Sequence, residues 1–248
     1  MTTPPRVPKL LSIVMPAFNE EASIRAVVEE HVHAARQLPP EISWEIVVVD
    51  DASLDKTPHI LAGMQKEVTQ LVVERHAVNQ GIYRSFFDGY HRSRGDFIYA
   101  TGSDGQWPAE NLLKMYAELS RGADLIVGVR TNRRDVYTPT RRAISYFFNT
   151  LSTVLFGVPV KDAGSIKLGA RPIFTADLVS RSVFAEAERI VYAQRTGYRV
   201  VFVPIVFLPR SGGKATGASW RNIRTATLDL FRAWLRYTFK GTQPSHVE

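Results

Sequence analysis

Short unbroken apolar runs alternate along this chain with longer stretches in which apolar residues recur every three or four positions. Leu10 to Met15 is an apolar run closed by Pro16, which predicts a first strand. From Glu20 to Arg36 the residues Ile24, Val27, Val28 and Val32 fall at helical spacing, and Pro39-Pro40 ends the segment. Glu45-Ile46-Val47-Val48-Val49-Asp50 is continuous and β-branched, as a parallel strand buried on both faces should be. Lys56 to Val68 reads as helix, Leu71 to Glu74 as strand, Gly81 to Ser93 as helix and Phe97 to Ala100 as a further buried strand. Pro108 suits the first turn of a helix running to Arg121, and Asp124 to Val129 is the next strand. This alternation predicts an α/β fold: a mostly parallel sheet with helices on both faces.

After Arg130 the rhythm changes. A basic helix from Thr140 to Phe156 leads into a turn-rich segment through Gly169, a helix near Ala185 to Thr196 and a strand from Arg199 to Pro204. Arg210 to Ser219 is rich in Gly and Ser and reads as a loop, and a last helix covers roughly Trp220 to Phe239. The expected organisation is a lead-in over 1–8, a main domain over 9–218, an amphipathic helix over 219–240 and a tail over 241–248.

Composition narrows the picture. With 248 residues, 45% of them apolar, the chain has enough material for one well-cored α/β domain with a small extension. It contains no cysteine, which excludes disulfides and thiolate metal sites. The net charge of +7 favours phosphates or anionic lipid as partners, although solubility alone would also account for it. No run reaches the roughly 18 apolar residues of a membrane span, and the first residues lack the apolar centre of a signal peptide. The expected location is the cytoplasm, with peripheral contact at the inner face of the membrane. Without a basic–aromatic platform or a DNA-binding motif, no nucleic-acid partner is expected.

The chemistry gathers where strands end. In Thr101-Gly102-Ser103-Asp104-Gly105-Gln106-Trp107-Pro108, a carboxylate and a carboxamide follow the Phe97 strand, at the sheet edge where α/β proteins bind ligands. Asp104 and Gln106 there can offer oxygen to a hard divalent cation, which can in turn hold a diphosphate. Pro16-Ala17-Phe18-Asn19-Glu20-Glu21 ends the first strand, where Asn19 could equally cap a helix. Asp50-Asp51 ends the second; adjacent acids repel unless a ligand or donor compensates, and an acid here can accept from a base N–H or a ribose hydroxyl. Ser53 or Asp55 could serve only as a cap. Gly81, in Asn79-Gln80-Gly81, is either a turn or a point of close approach to a nucleotide.

In order along the chain, Val14 to Glu21, Val48 to Ser53, Asn79 to Gly81, Ser103 to Pro108, Val127 to Arg130, Arg141 with Ser145, Lys161 to Gly164, Gly197 to Pro204 and Arg210 to Lys214 resemble the family 2 nucleotide-sugar glycosyltransferases. Within that family the chain looks most like the polyprenyl-phosphate sugar synthases of the dolichyl-phosphate mannose synthase-like group. The resemblance covers nearly everything from Leu11 to Ala218. It implies a GT-A, Rossmann-like fold and inverting transfer from a UDP- or GDP-linked sugar to a polyprenyl-phosphate acceptor. It further implies that Pro16, Phe18, Glu20 and Asp51 line the base and ribose pocket and that Lys214 lies near the diphosphate. Asp104 and Gln106 would bind Mg²⁺ or Mn²⁺, and Arg130, Arg141, Ser145 and Arg210 would hold the acceptor phosphate. Guanidinium forks suit that task.

Two departures stand out. The family's Asp-x-Asp has Gly102 in place of its first acid, which weakens the metal site and leaves metal-independent transfer or loss of activity open. Ser165-Ile166 replaces the residues that commonly precede the lysine. Asp104 and Arg130 head the expected catalytic set. If the acceptor were a hydroxyl on a soluble metabolite or polysaccharide, a base would be needed, and Asp162 is the candidate. In the last helix Ile223, Leu230, Phe231, Trp234, Leu235 and Thr238 fall near one face, with Arg221, Arg224, Arg232, Arg236 and Lys240 supplying charge. That composition suits an in-plane membrane helix; packing on the domain and a contact in a homo-oligomer are the alternatives.

Overall fold

The computed structural model describes residues 8–132, 137–209 and 220–239. Seven strands form one sheet: β1 (Leu10–Ala17), β2 (Ser43–Asp50), β3 (Leu71–Arg75), β4 (Phe97–Ala100), β5 (Leu125–Arg130), β6 (Lys167–Ala170) and β7 (Val200–Ile205). Between and after them run α1 (Ile24–Ala35), α2 (Thr57–Glu67), α3 (Ile82–Arg92), α4 (Glu110–Ser120), α5 (Pro139–Phe156), the single turn α6 (Arg171–Phe174), α7 (Ala185–Arg195) and α8 (Trp220–Phe239).

The strand order is β3-β2-β1-β4-β6-β5-β7, parallel throughout except for β6, which runs antiparallel to both neighbours. The chain winds outward from β1 to β3, then returns to place β4 on the other side of β1. That reversal opens a crevice between the carboxyl ends of β1 and β4, the position where open α/β sheets take ligands. β1 is central: Leu11, Ile13, Val14 and Met15 are fully buried, as the unbroken apolar run requires.

β6 begins inside the segment expected to be turn-rich through Gly169. It is only four residues long, begins with a lysine and carries a glycine, so neither length nor period marks it. Lys167 is nonetheless 1% exposed. A Cβ on Gly169 would sit 2.7 Å from the Asp124 carbonyl oxygen, so the close approach of β5 requires glycine there. At the other expected helix start, Pro108 precedes α4 rather than opening it: Asn111 N–H donates to the Pro108 carbonyl in a tight turn, and the helix begins at Glu110.

α8 divides its apolar residues between two faces. Ala226, Leu230, Ala233 and Tyr237 are buried, whereas Leu228, Phe231, Leu235 and Phe239 form an exposed stripe, with Phe239 76% exposed. Phe231 and Leu235 therefore do not share the buried face with Leu230. Arg224, Arg232 and Arg236 are exposed beside the stripe. Among the described residues no helix is long and apolar enough to cross a membrane.

Candidate active site

The loops after β1 and β2 are tied to each other across the crevice floor. Asn19 N–H donates to Ser53 Oγ at 2.9 Å, and Leu54 N–H donates to Asn19 Oδ1 at 2.8 Å. Glu20 N–H donates to Thr57 Oγ1 and Glu21 N–H to Asp55 Oδ2. Asn19 thus joins two loops instead of capping α1. The β4 loop joins them: Ser103 Oγ donates to the Pro16 carbonyl at 2.7 Å, and Ser23 Oγ donates to the Ser103 carbonyl at 2.9 Å. Among the described residues, three non-glycine residues have positive φ, Asn19 (56°), Ala52 (60°) and Asp162 (48°), all just past strand ends or in the loop leading to β6. Such backbone is held only where its surroundings demand it.

The adjacent acids of β2 are compensated from within. Asp50 is fully buried, accepts from Ser53 N–H at 3.0 Å and lies 3.1 Å from Arg75 Nε. Asp51 accepts the N–H groups of Gln80 and Gly81, both at 2.8 Å, and its Oδ1 lies 2.7 Å from His76 Nδ1. The Asn79-Gln80-Gly81 turn is therefore wrapped around Asp51, with Asn79 Nδ2 donating to the Asp51 carbonyl.

Beyond β4 lies a cavity of about 450 Å³ between the sheet edge and α3, α5, α7 and α8. Asp104, Arg130 and Ser145 share its wall, with Phe86, Phe148 and Ile223 among its apolar lining. Arg130 is 7% exposed and Asp162 1%. Arg130 Nε donates to Asp162 Oδ2 at 2.9 Å, Nη2 pairs with Oδ1, and the Arg130 backbone N–H donates to Oδ2 at 2.8 Å. Nη1 meets the Tyr137 hydroxyl, and the guanidinium lies over the rings of Tyr137, Phe207 and Trp107 at 5.0, 5.2 and 5.3 Å. Burial by itself pulls the Arg130 pKa down, but the Asp162 carboxylate more than offsets this and holds the guanidinium charged. Asp162, the expected base, is instead committed to Arg130 and lines a neighbouring shallow depression.

Under the cavity runs a second, partly buried pair. Lys167 Nζ lies 2.8 Å from Glu186 Oε2 and donates to the carbonyls of Ala163 and Ser165, pinning the loop that carries Asp162. Arg189 Nη2 reaches Glu186 Oε1 at 3.5 Å. Burial raises the Glu186 pKa, yet the charges of Lys167 and Arg189 win and carry it down to about 2. Burial lowers that of Lys167, with Glu186 opposing. None of Tyr137, Lys167 or Glu186 is a site residue in the sequence reading, whereas His76 lies in the Glu74 to Ala77 stretch whose backbone bears on base choice. The lysine at the start of β6 was the one available signal.

Of the remaining expected residues, Phe18 is 40% exposed at the crevice rim, while Glu20 is buried beside Ser23. Gln106 turns its amide to Leu208, donating from Nε2 to the carbonyl at 3.1 Å, and so anchors the chain after β7. Arg141 lies in the first turn of α5, but its side chain, like Arg210 and Lys214, lies outside the described residues. No cluster of three or more His, Asp or Glu able to hold a metal occurs among the described residues. Asp104 and Glu186 are the carboxylates among the cavity's lining residues; Glu186 is paired with Lys167, and Asp104 with Gln106 two residues on is the donor set expected for a metal. That donor set fits Mg²⁺ or Mn²⁺ only with phosphate oxygens and water completing the shell, which is how Mg²⁺ is commonly held.

The profile of the family described as "Glycosyl transferase family 2" matches residues 12–174. The undecaprenyl-phosphate 4-deoxy-4-formamido-L-arabinose transferase of Pseudomonas fluorescens is 32% identical over 192 residues, covering 76% of this chain and 56% of that protein. Its counterpart in Photorhabdus laumondii is 30% identical over 195 residues, covering 76% and 58%. The chain thus spans little more than half the length of these relatives. Among solved structures, glucosyl-3-phosphoglycerate synthase from Mycobacterium tuberculosis, in complex with Mn²⁺, UDP-glucose and phosphoglyceric acid, superposes with a TM-score of 0.70 at 16% identity. That match covers 96% of this chain and 82% of the other, and it shows a shared GT-A fold. With the sheet order, the crevice and the family match in agreement, this chain belongs to glycosyltransferase family 2.

Proposed function

We propose that the chain transfers a sugar, with inversion, from a nucleoside-diphosphate donor to a polyprenyl phosphate. The observation that carries this is the cavity beyond β4: a buried, permanently charged guanidinium and the Ser145 hydroxyl stand among apolar side chains beside Asp104. A phosphate at the end of a hydrocarbon chain matches both features. The Pseudomonas and Photorhabdus relatives are named for undecaprenyl phosphate, in keeping with that chemistry.

Pro16, Phe18, Glu20 and Asp51 would frame the nucleotide. Arg130 and Ser145, extended by Arg141 and Arg210, would hold the acceptor phosphate, with Lys214 at the diphosphate. A phosphate monoester has a second pKa of about 6, so at neutral pH its oxygen is ready to attack the anomeric carbon as the bond to the diphosphate breaks. No proton need be removed. A hydroxyl acceptor would need a base. Asp162 is tied to Arg130, and Glu186, held at about 2, is a poor proton acceptor. Asp104 would hold a divalent cation, which when bound supplies charge compensation for the leaving diphosphate.

The exposed stripe Leu228, Phe231, Leu235 and Phe239, flanked by arginines, suits peripheral contact with an anionic membrane. Ile223 and Ala226 of the same helix line the cavity, so that contact would set its wall beside the lipid.

The test offers UDP- and GDP-linked sugars with undecaprenyl phosphate in anionic phospholipid vesicles, and in parallel with water-soluble alcohols, following products by mass. Glycosylated undecaprenyl phosphate is expected. Transfer to the alcohols alone would overturn the acceptor assignment. The Phe231→Ser/Leu235→Ser variant should stop sedimenting with the vesicles yet still turn over a short-chain, water-soluble polyprenyl phosphate; undiminished sedimentation would remove the membrane face.

A further inference from the structure

Asp51 carries information about the base of the donor, given the transferase reading above. A carboxylate offers about four acceptor positions. Oδ1 is met by His76 Nδ1 at 2.7 Å and by Gln80 N–H at 2.8 Å, and Oδ2 accepts Gly81 N–H at 2.8 Å. One position, on Oδ2, is left. His76 is fixed from its far side: Nε2 lies 3.1 Å from Asp88 Oδ2, which also accepts from Arg84 Nε at 2.7 Å. The imidazole is 5% exposed, clasped between the end of β2 and α3, and so stays on Oδ1.

We infer that this arrangement selects uracil over guanine in the donor nucleotide, and that His76 determines the choice by filling Oδ1 of Asp51. Uracil presents one imide N–H, at N3, with a carbonyl on either side. A single acceptor position satisfies it. Guanine presents N1–H and an exocyclic N2–H side by side, and the pair calls for both oxygens of a carboxylate. Here the second oxygen is already full, so one guanine N–H would be buried without a partner. An unmet buried donor costs about 1–3 kcal/mol, which is roughly tenfold or more in affinity.

Calorimetric titration of the whole chain with UDP, GDP and N3-methyl-UDP, each with Mn²⁺, tests this. Wild type should bind UDP about tenfold or more tighter than either competitor. His76→Phe keeps a ring but removes both ring nitrogens and reopens Oδ1, so the UDP-to-GDP affinity ratio should fall by about tenfold. His76→Gln, which can still donate to Oδ1, should keep the ratio near that of wild type. General loosening of the loop would weaken both nucleotides alike and leave the ratio unmoved. Should His76→Phe fail to fold, the methylated nucleotide still decides: equal affinity for UDP and N3-methyl-UDP overturns the inference. GDP binding as tight as UDP binding in wild type, or a ratio unchanged in His76→Phe, overturns it while leaving the transferase reading in place. Binding of no nucleoside diphosphate at all removes both.

Discussion

The two walls of the crevice are built by different means. On the β1–β2 side, loops a few residues long satisfy one another with many hydrogen bonds, Asn19 with Ser53 and Leu54, Glu20 with Thr57, Ser103 with Pro16, and they spread the charges of Asp50 and Asp51 over several donors. On the α5–α7–α8 side, an apolar cavity is bordered by two ion pairs, the buried Arg130–Asp162 and the partly buried Lys167–Glu186. A mesh of modest bonds weakens by degrees when one is lost. A buried ion pair behaves otherwise, because removing one partner leaves a desolvated charge with nothing to balance it. The uncharged links of the β1–β2 loops should therefore tolerate change gradually, and the Arg130–Asp162 pair should fail abruptly.

Arg130→Met is the sharpest way to break that contrast. It strips Asp162 of the guanidinium while leaving the carboxylate buried, and the expected loss is about 3–5 kcal/mol of unfolding free energy, read from urea midpoints. Arg130→Met/Asp162→Asn removes both charges, keeps an acceptor for the Arg130 backbone N–H and a residue that tolerates positive φ, and should recover much of that stability. It should not recover transfer, because the acceptor phosphate would still lack its cation. A double variant no more stable than the single one would mean that the pair is not the unit holding this wall.

The same contrast decides what could be read from the sequence. The loops after β1, β2 and β4 are legible because their signal is local: an apolar run, then a Pro, Asp or Gly within a few residues. Asp104, Arg130 and Ser145, which the resemblance points to, line one cavity. What was hidden depends on long-range partners. Asp162 looks like a free acid until Arg130, 32 residues earlier, closes on it. Lys167 looks like a surface residue in a turn, yet it is a buried strand position because Glu186 arrives from α7. Gln106 has an oxygen suited to a metal, and the bond that orients its amide, from Nε2 to the Leu208 carbonyl, comes from 102 residues later. The compensation for Asp50 and Asp51 could be required from the sequence, but not assigned to Arg75, His76, Gln80 and Gly81.

Acid should probe the second pair more gently. Glu186 is held at about 2 in the folded chain against an ordinary value of 4.5. A depressed carboxylate contributes stability that is complete above its unfolded pKa, here about 4.5, and is lost as pH falls towards about 2. Wild type should thus lose stability across that window faster than Glu186→Gln, which has no proton to take up there. Parallel pH profiles of the thermal midpoint for the two proteins would show that Lys167 and Arg189 do not hold Glu186 ionised.

The smallest effect belongs to the point where the two walls meet. A Cβ on Gly102 would lie 3.1 Å from Trp107 Cδ1, 3.2 Å from its Nε1 and 3.3 Å from Asp104 Oδ1. Trp107 is packed against Phe207, with ring centroids 4.4 Å apart, so it can give only a few tenths of an ångström. Gly102→Asp also sets a second carboxylate beside Asp104, a repulsion of about 1 kcal/mol at 4 Å in water. In chelator the variant should be less stable than wild type by roughly that amount. With Mn²⁺ the sign should turn, since the added carboxylate is now a ligand and any species bound only by the folded chain stabilises it. The Mn²⁺-induced rise in thermal midpoint should be larger in Gly102→Asp than in wild type. An equal or smaller rise would place the cation away from Asp104, and the nucleotide wall would then have to manage the diphosphate's charge without it.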